Sequence, residues 1–427
     1  MKIKTKRLSY DEVLKLDIKQ RKKPVKPNIL FRTLLKAISV PDLISTKFTC
    51  KKTGMEKLGK NEPCLILMNH SCFLDLKIAF SLLYPRPFNI VCTSDGFVGK
   101  EWLMRSIGCI PTQKFVTDLP LVRDMFYTIK TLKSSILMYP EASYSFDGTA
   151  TTLPDSLGEC VKSLKVPLVI IRTYGAFARD PLYNNLQLRK VKVSAEMECV
   201  LSKEEIQKMT SEEINELIKK RFDFDNFRWQ QENKVKISEP FRADHLNRVL
   251  YKCPNCLNEG KMEGKGTTVR CQNCGKEYEL TEYGYIKALN GKTEFDHIPD
   301  WYHWERECVK KEITDGTYKL DIPVEIYMMV DTKCVYDIGE GRLIHDKNGF
   351  HLTGGNGKLD YKQKPIASYS LYSDYYWYEI DDMICIGDTK TLYYCFPKVK
   401  GDFVSKTRLA TEELYKIKKH DSCQNNE

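Results

Sequence analysis

At 427 residues the chain is too long for one ordinary core, so two or three domains are expected. Its 42% hydrophobic and 29% charged content excludes a disordered protein, and the formal charge of +10 points to an anionic partner, a nucleic acid or a membrane face, without choosing between them. Sixteen cysteines would suit a disulfide scaffold in a short exported chain, but the opening MKIKTKRLSYDEV has no apolar h-region or cleavage site, so reduced thiols and metal-binding pairs are expected instead.

Residues 1–60 are basic and polar, and the run Lys19, Arg21, Lys22, Lys23 and Lys26 leads into Ile29–Ile38, whose apolar residues fall mostly at helical spacing. This pattern fits an interfacial anchor and equally well a helix packed on its own domain. No apolar run reaches bilayer-spanning length, so membrane contact is expected from the side. Across 61–240, apolar runs at 64–68, 88–92, 135–139 and 166–171 read as strands, and 73–83 and 119–133 as helices. Such alternation predicts an α/β domain with a largely parallel central sheet. The charged stretch 202–221 carries Thr210 and Glu213 at capping-box spacing, which divides it into two helices. A cysteine cluster marks a small module over 248–282, and an aromatic linker follows around Trp301, Tyr302, His303 and Trp304. Residues 316–420 are rich in Tyr, Val, Ile and Thr between Gly-rich turns, which predicts six or seven short strands closed by a helix over Ser405–Lys419.

The sharpest motif is Asn69-His70-Ser71-Cys72-Phe73-Leu74-Asp75, directly after the first of those strands. Transfer of an acyl group to a hydroxyl needs a base to take the alcohol proton as oxygen attacks the thioester carbon. An imidazole does this at neutral pH, and best when a carboxylate fixes its other ring nitrogen. A helical turn after the strand exit brings Asp75 back beside His70, and no protein nucleophile is then required. Cys72 reads as a small buried filler.

The order of motifs resembles that of the lysophospholipid acyltransferase family, which includes the 1-acyl-glycerol-3-phosphate acyltransferases. His70 to Asp75 fits its first block. Gly108 to Lys114 resembles the second, with lysine where the family usually has arginine. Tyr139-Pro140-Glu141-Ala142-Ser143-Tyr144-Ser145 resembles the third and Val166–Ile171 the fourth. The resemblance implies acyl-CoA or acyl-carrier protein as donor and a lysoglycerolipid such as 1-acyl-glycerol-3-phosphate as acceptor, in phospholipid biosynthesis. It makes His70 and Asp75 catalytic, with Lys114, Glu141, Gly108 and Pro140 at the acceptor. Two departures bear on that acceptor. Arginine forks suit phosphate, and here their places hold Lys114 and Tyr144, so Lys114, Arg172 or another cation compensates or the acceptor is not a simple lysophosphatidate. Ala142 replaces a glycine, which would strain a backbone of positive φ.

Cys253-Pro254-Asn255-Cys256 and Cys271-Gln272-Asn273-Cys274 form two C-x-x-C knuckles, the pattern of a structural Zn2+ in a zinc ribbon with no open coordination position. By element order alone, the C-terminal segment resembles a pleckstrin-homology or GRAM-like barrel. The leading reading is an O-acyltransferase lying on the cytoplasmic face of a membrane, with nucleic acid not expected as a partner. One alternative keeps the chemistry on a non-phosphorylated or amino-linked lipid. Another is a non-catalytic zinc-ribbon protein that binds nucleic acid.

Overall fold

The computed structural model describes residues 2–17, 21–116 and 118–424, so Lys19 of the expected basic run lies outside the described residues. Strand β1 (Thr5–Arg7) and helix α1 (Tyr10–Leu14) open the chain, and α2 (Ile29–Ser45) follows. The first large sheet contains β2 (Thr49–Thr53), β3 (Leu65–Met68), β4 (Phe88–Thr93), β5 (Cys109–Thr112), β6 (Ser135–Met138), β7 (Leu168–Tyr174) and β8 (Ser194–Leu201). Their order is β2-β8-β7-β3-β6-β4-β5, and every neighbouring pair is parallel except β7 with β8.

The continuous apolar runs of β3 and β7 follow from burial on both faces. Ile66, Met68, Val169 and Ile171 point to one side, where they meet α2 and α3 (Leu74–Leu83). Leu65, Leu67, Leu168 and Ile170 point to the other. There they pack with α5 (Leu119–Lys130), which follows the short α4 (Glu101–Ser106), and with α6 (Leu157–Leu164). Past the short α7 (Ala176–Arg179), the stretch after β8 divides into α8 (Lys203–Lys208) and α9 (Ser211–Phe222). Thr210 and Glu213 form the capping box that starts the second. Helix α10 (Asn226–Glu232) then leads out of the domain.

The small module is a four-stranded antiparallel sheet of β9 (Met262–Lys265), β10 (Thr268–Cys271), β11 (Glu277–Leu280) and β12 (Ile286–Ala288). Helix α11 (Ile298–Thr314) takes up the aromatic linker and buries Trp301, whose indole N–H donates to the Lys252 carbonyl at 3.0 Å. The C-terminal sheet comprises β13 (Leu320–Met329), β14 (Val335–Asp346), β15 (Gly349–Gly354), β16 (Leu359–Gln363), β17 (Tyr372–Trp377), β18 (Asp381–Gly387) and β19 (Leu392–Pro397). It runs in the order β16-β15-β14-β13-β19-β18-β17, antiparallel throughout, and α12 (Phe403–Gln424) closes it. Among the described residues no ladder joins β16 to β17, so the barrel-like expectation resolves into an open path. Arg306 of α11 donates to Glu412 and Glu413 of α12 at 2.7 and 2.9 Å and ties the two helices together.

Two expected boundaries move. Residues 1–60 do not behave as one N-terminal region, because β1 pairs in parallel with β14, Thr5 opposite Val335, and Val13 joins the core of the C-terminal half. The start of the α/β domain lies before residue 61, because β2 is an edge strand on β8 with Thr49 opposite Ser194. Among the described residues no helix is long and apolar enough to cross a membrane.

Candidate active site

Strand β3 is the central strand of its sheet, and His70 stands two residues beyond its carboxyl end, where open α/β sheets gather their functional loops. Asn69 anchors the exit: its side-chain Oδ1 accepts from the Thr173 amide at 2.8 Å, near the end of β7. The chain then turns, and Asp75 falls in the first turn of α3. One Asp75 oxygen, Oδ2, accepts from the Ser71 amide at 2.6 Å and the Cys72 amide at 3.0 Å, and it lies 3.4 Å from His70 Nδ1. The other accepts from the Thr173 hydroxyl at 3.2 Å. Asp75 is fully buried, whereas the His70 side chain keeps 22% of its surface exposed.

A histidine that lends its Nδ1 proton to a carboxylate carries its lone pair on Nε2, the tautomer a base requires. The 3.4 Å contact is at the long end of hydrogen bonding, as is common for catalytic pairs before substrate arrives. The ring stacks on Tyr139, with centroids 4.0 Å apart and planes at 22°, and Tyr144 lies across it at 4.3 Å. Burial lowers the imidazole's affinity for a proton, Asp75 opposes that, and the positive charge of Lys114 reinforces it. His70 is therefore neutral at physiological pH, ready to accept.

Glu141 stands directly against the His70 loop. It is buried, and its two oxygens accept the His70 amide at 2.9 Å and the Thr151 amide at 3.0 Å. Both oxygens thereby hold the His70 loop against the loop after β6. Burial pushes its carboxyl up to about 7, against the pull of those two amides. Pro140 is buried at the start of the same turn, which closes with the Ala142 amide donating to the Tyr139 carbonyl at 3.0 Å. Ala142 adopts φ +54°, the left-handed conformation that its alanine was expected to strain.

Gly108 lies away from the chemistry. It precedes β5 and is level with Leu65, five residues before His70 and thus about 17 Å down the sheet at strand rise. Its φ of +92° and the crowding of Pro27 and the Phe88 carbonyl explain the glycine as a tight turn. Arg172 is also unavailable, because its guanidinium pairs with Glu196 at 3.0 Å. Cys72 is buried and its thiol is pushed well above the ordinary range, first by burial and then by the charge of Asp75, so it is no nucleophile.

Lys114 does come to the site, in company the sequence does not indicate. Its ammonium sits 4.1 Å over the ring of Tyr372, on β17 of the C-terminal sheet. The Tyr372 hydroxyl donates to Asp95 at the end of β4, which also accepts from Trp377 Nε1 at 3.3 Å. Phe115 and Ala142 pack into the same cluster, and Arg408 of α12 reaches the Tyr144 carbonyl at 3.5 Å. The loops that follow β4, β5 and β6 therefore meet the C-terminal domain. Sequence reasoning missed Tyr139 and Tyr144 as ring partners, Thr173 as a second donor to Asp75, and every contribution of β17. Only Thr173 left a signal, two residues beyond the fourth motif. A separate cavity of about 380 Å³ lies beyond Thr151, lined by Asp147, Asp225, Arg306 and Arg408, and His70 does not line it.

Cys253, Cys256, Cys271 and Cys274 converge, with all four sulfurs within 4.8 Å of one another. Cys253–Cys274 and Cys256–Cys271 are each 3.7 Å apart. A tetrahedral ion with bonds of about 2.3 Å to sulfur has edges of about 3.8 Å, so the cage fits a zinc-sized ion. Gly275, at φ +74°, lets its amide turn back to the Cys271 carbonyl at 2.9 Å, and Leu257 does the same in the first knuckle at φ +62°.

Residues 49–172 match the model of the acyltransferase family. No curated protein sequence matches the chain. Among solved structures, it is similar to the crystal structure of a 1-acyl-sn-glycerophosphate acyltransferase from Thermotoga maritima, at 14% identity and a TM-score of 0.38, over 49% of this chain and 81% of that one.

Proposed function

From the premise that residues 49–172 form an acyltransferase domain, we propose that the protein moves a fatty acyl group from a thioester, acyl-CoA or acyl-carrier protein, to the free hydroxyl of a lysoglycerolipid in phospholipid biosynthesis. The observation that carries this reading is His70, held through Nδ1 by a fully buried Asp75 while Nε2 remains without a partner among the described residues. The acceptor's O–H gives its proton to Nε2 as its oxygen bonds to the thioester carbon. The C–S bond then breaks, and the proton passes from the imidazolium to the departing thiolate. Asp75 balances the imidazolium while it exists. Proton transfer of this kind contributes roughly 10²–10⁴-fold to rate.

The reading also accounts for α2. Leu30, Leu34 and Ile38 recur one helical turn apart and are 53–75% exposed, and Trp102 and Phe73 are exposed nearby. Phe31 contacts Trp102 edge-on, and α2 packs on α3 through the Lys77–Asp42 ion pair, so this apolar face stands beside the His70 loop. A peripheral helix of this sort seats in the headgroup boundary and brings the cleft to a lipid acceptor. We assign the membrane's cytoplasmic face, and a structural Zn2+ to the four cysteines. The test is to incubate purified protein with labelled acyl-CoA or acyl-carrier protein and a panel of lysolipids in vesicles. Free thiol and diacyl lipid should appear in equal amounts; no thiol release with any donor and acceptor would end the reading.

A further inference from the structure

The loop carrying Lys114 meets a strand that lies more than two hundred residues further along the chain. Tyr372 and Asp374 are two residues apart on β17 and so leave the same face of the sheet, the face that meets Lys114 and Asp95. Among the described residues the Lys114 ammonium makes no hydrogen bond or salt bridge, and it stands against the Tyr372 ring within the field of His70. Asp374 is the strongest opposing charge acting on Lys114, ahead of Asp95. Its carboxylate accepts only from the adjacent Tyr375 amide, at 3.0 Å, and no cation bonds it among the described residues. One cation and one anion thus stand at the same strand face without a salt bridge between them among the described residues, and each still has bonding capacity.

The other charges nearby are committed. Arg408 donates to Glu412 and to the Tyr144 carbonyl, and Asp95 accepts from Tyr372 and Trp377. A phosphate monoester, carrying a charge of roughly −1.5 to −2 near neutral pH, would meet a single ammonium and a carboxylate that repels it. A headgroup holding both a phosphodiester and an amine would meet its complement twice.

We propose that Asp374, supplied by the C-terminal sheet, completes the acceptor site and makes it select zwitterionic, amine-bearing lysophospholipids over bare phosphate monoesters. The inference rests on the acyltransferase reading and adds the headgroup class. Burial pushes the Asp374 carboxyl up to about 7, so an entering ammonium would also stabilise its charged form.

The experiment compares lysophosphatidylethanolamine with lysophosphatidate as acceptors for the intact protein. Wild type should favour the former by about tenfold or more in kcat/KM, since like-charge juxtaposition is costly in a half-buried site. Asp374→Asn should bring the ratio close to one, mainly through KM for the amine-bearing acceptor, and Asp374→Glu should restore part of it. Wild-type preference for lysophosphatidate, or an unchanged ratio in Asp374→Asn, overturns the proposal. Should the variants fail to fold, or no acceptor turn over, calorimetry on wild type with glycerophosphoethanolamine and glycerol 3-phosphate still decides: tighter binding of the former supports the proposal, and tighter binding of the latter, or equal binding, overturns it. Absence of thiol release with every lipid counts against the acyltransferase reading and leaves this binding comparison intact.

Discussion

Among the described residues two histidine–aspartate pairs each have one buried member, and the closer pair is not the candidate base. His297 Nε2 lies 2.7 Å from Asp225, and its Nδ1 is 3.3 Å from the Gln231 amide nitrogen, so both ring nitrogens are used. Asp225 also caps α10 by accepting the Arg228 amide at 2.8 Å, and His297 is the residue from which α11 starts. The pair thus staples the end of the α/β domain to the helix leading into the C-terminal half. His70 is 3.4 Å from its aspartate, and only one ring nitrogen is engaged. The difference teaches that proximity of acid and imidazole marks a lock as readily as a catalyst. The unspent nitrogen, and its access to solvent, separates the two.

Substituting each histidine should divide their roles cleanly. His70→Ala should lower kcat by roughly 10²–10⁴-fold, the usual worth of a general base, with little change in the melting temperature. His297→Ala removes the partner of Asp225 Oδ2 and one partner of the buried Gln231 amide, and should cost about 1–3 kcal/mol of stability, read by denaturant unfolding. Its turnover per folded molecule should stay within about twofold, because His297 does not touch the site. A stable His297→Ala protein that has lost activity would break the comparison.

A smaller effect comes from pH. Burial depresses the proton affinity of His70, so kcat/KM should climb to its plateau with a midpoint below the ordinary imidazole value of about 6.5. Asp75 acts in the opposite direction, so Asp75→Asn should move that midpoint lower still as well as reduce the plateau. The sign for stability is the same: the unfolded chain binds the His70 proton more readily, so this group's contribution is complete above about 6.5 and falls away on acidification. A midpoint above that value would contradict a desolvated imidazole.

The smallest expected change is at the turn between the tyrosines that flank the ring. Ala142→Gly relieves a left-handed alanine but loosens the unfolded chain, for a net gain of roughly 0.5 kcal/mol and no loss of turnover. A drop in stability would show that the turn is not strained.

Much of the first sheet was legible because its strands are short apolar runs buried on two faces, and because Thr210, Glu213 and the two cysteine knuckles are local signals with fixed spacing. The His70–Asp75 pair was legible for the same reason, since five residues of strand exit and helical turn bring it together. What escaped was everything made between distant segments. Nothing in the spacing of Glu141 shows that it accepts from two backbone amides, and nothing near Gly108 shows that it opens a strand. The contact of Tyr372 with Lys114, and the charge of Asp374 on the same strand face, leave no periodic trace, because pairs so far apart in the chain obey no local repeat.

The pairing of β1 with β14 has a consequence for biosynthesis. Thr5 leaves the ribosome some 330 residues ahead of Val335, its partner. At about 10 residues per second the opening strand must wait on the order of half a minute, its edge unpaired, before the segment it completes has been made. The α/β layer can assemble during that interval, but the seam joining the two halves of the protein is sewn late, after translation has passed through most of the chain.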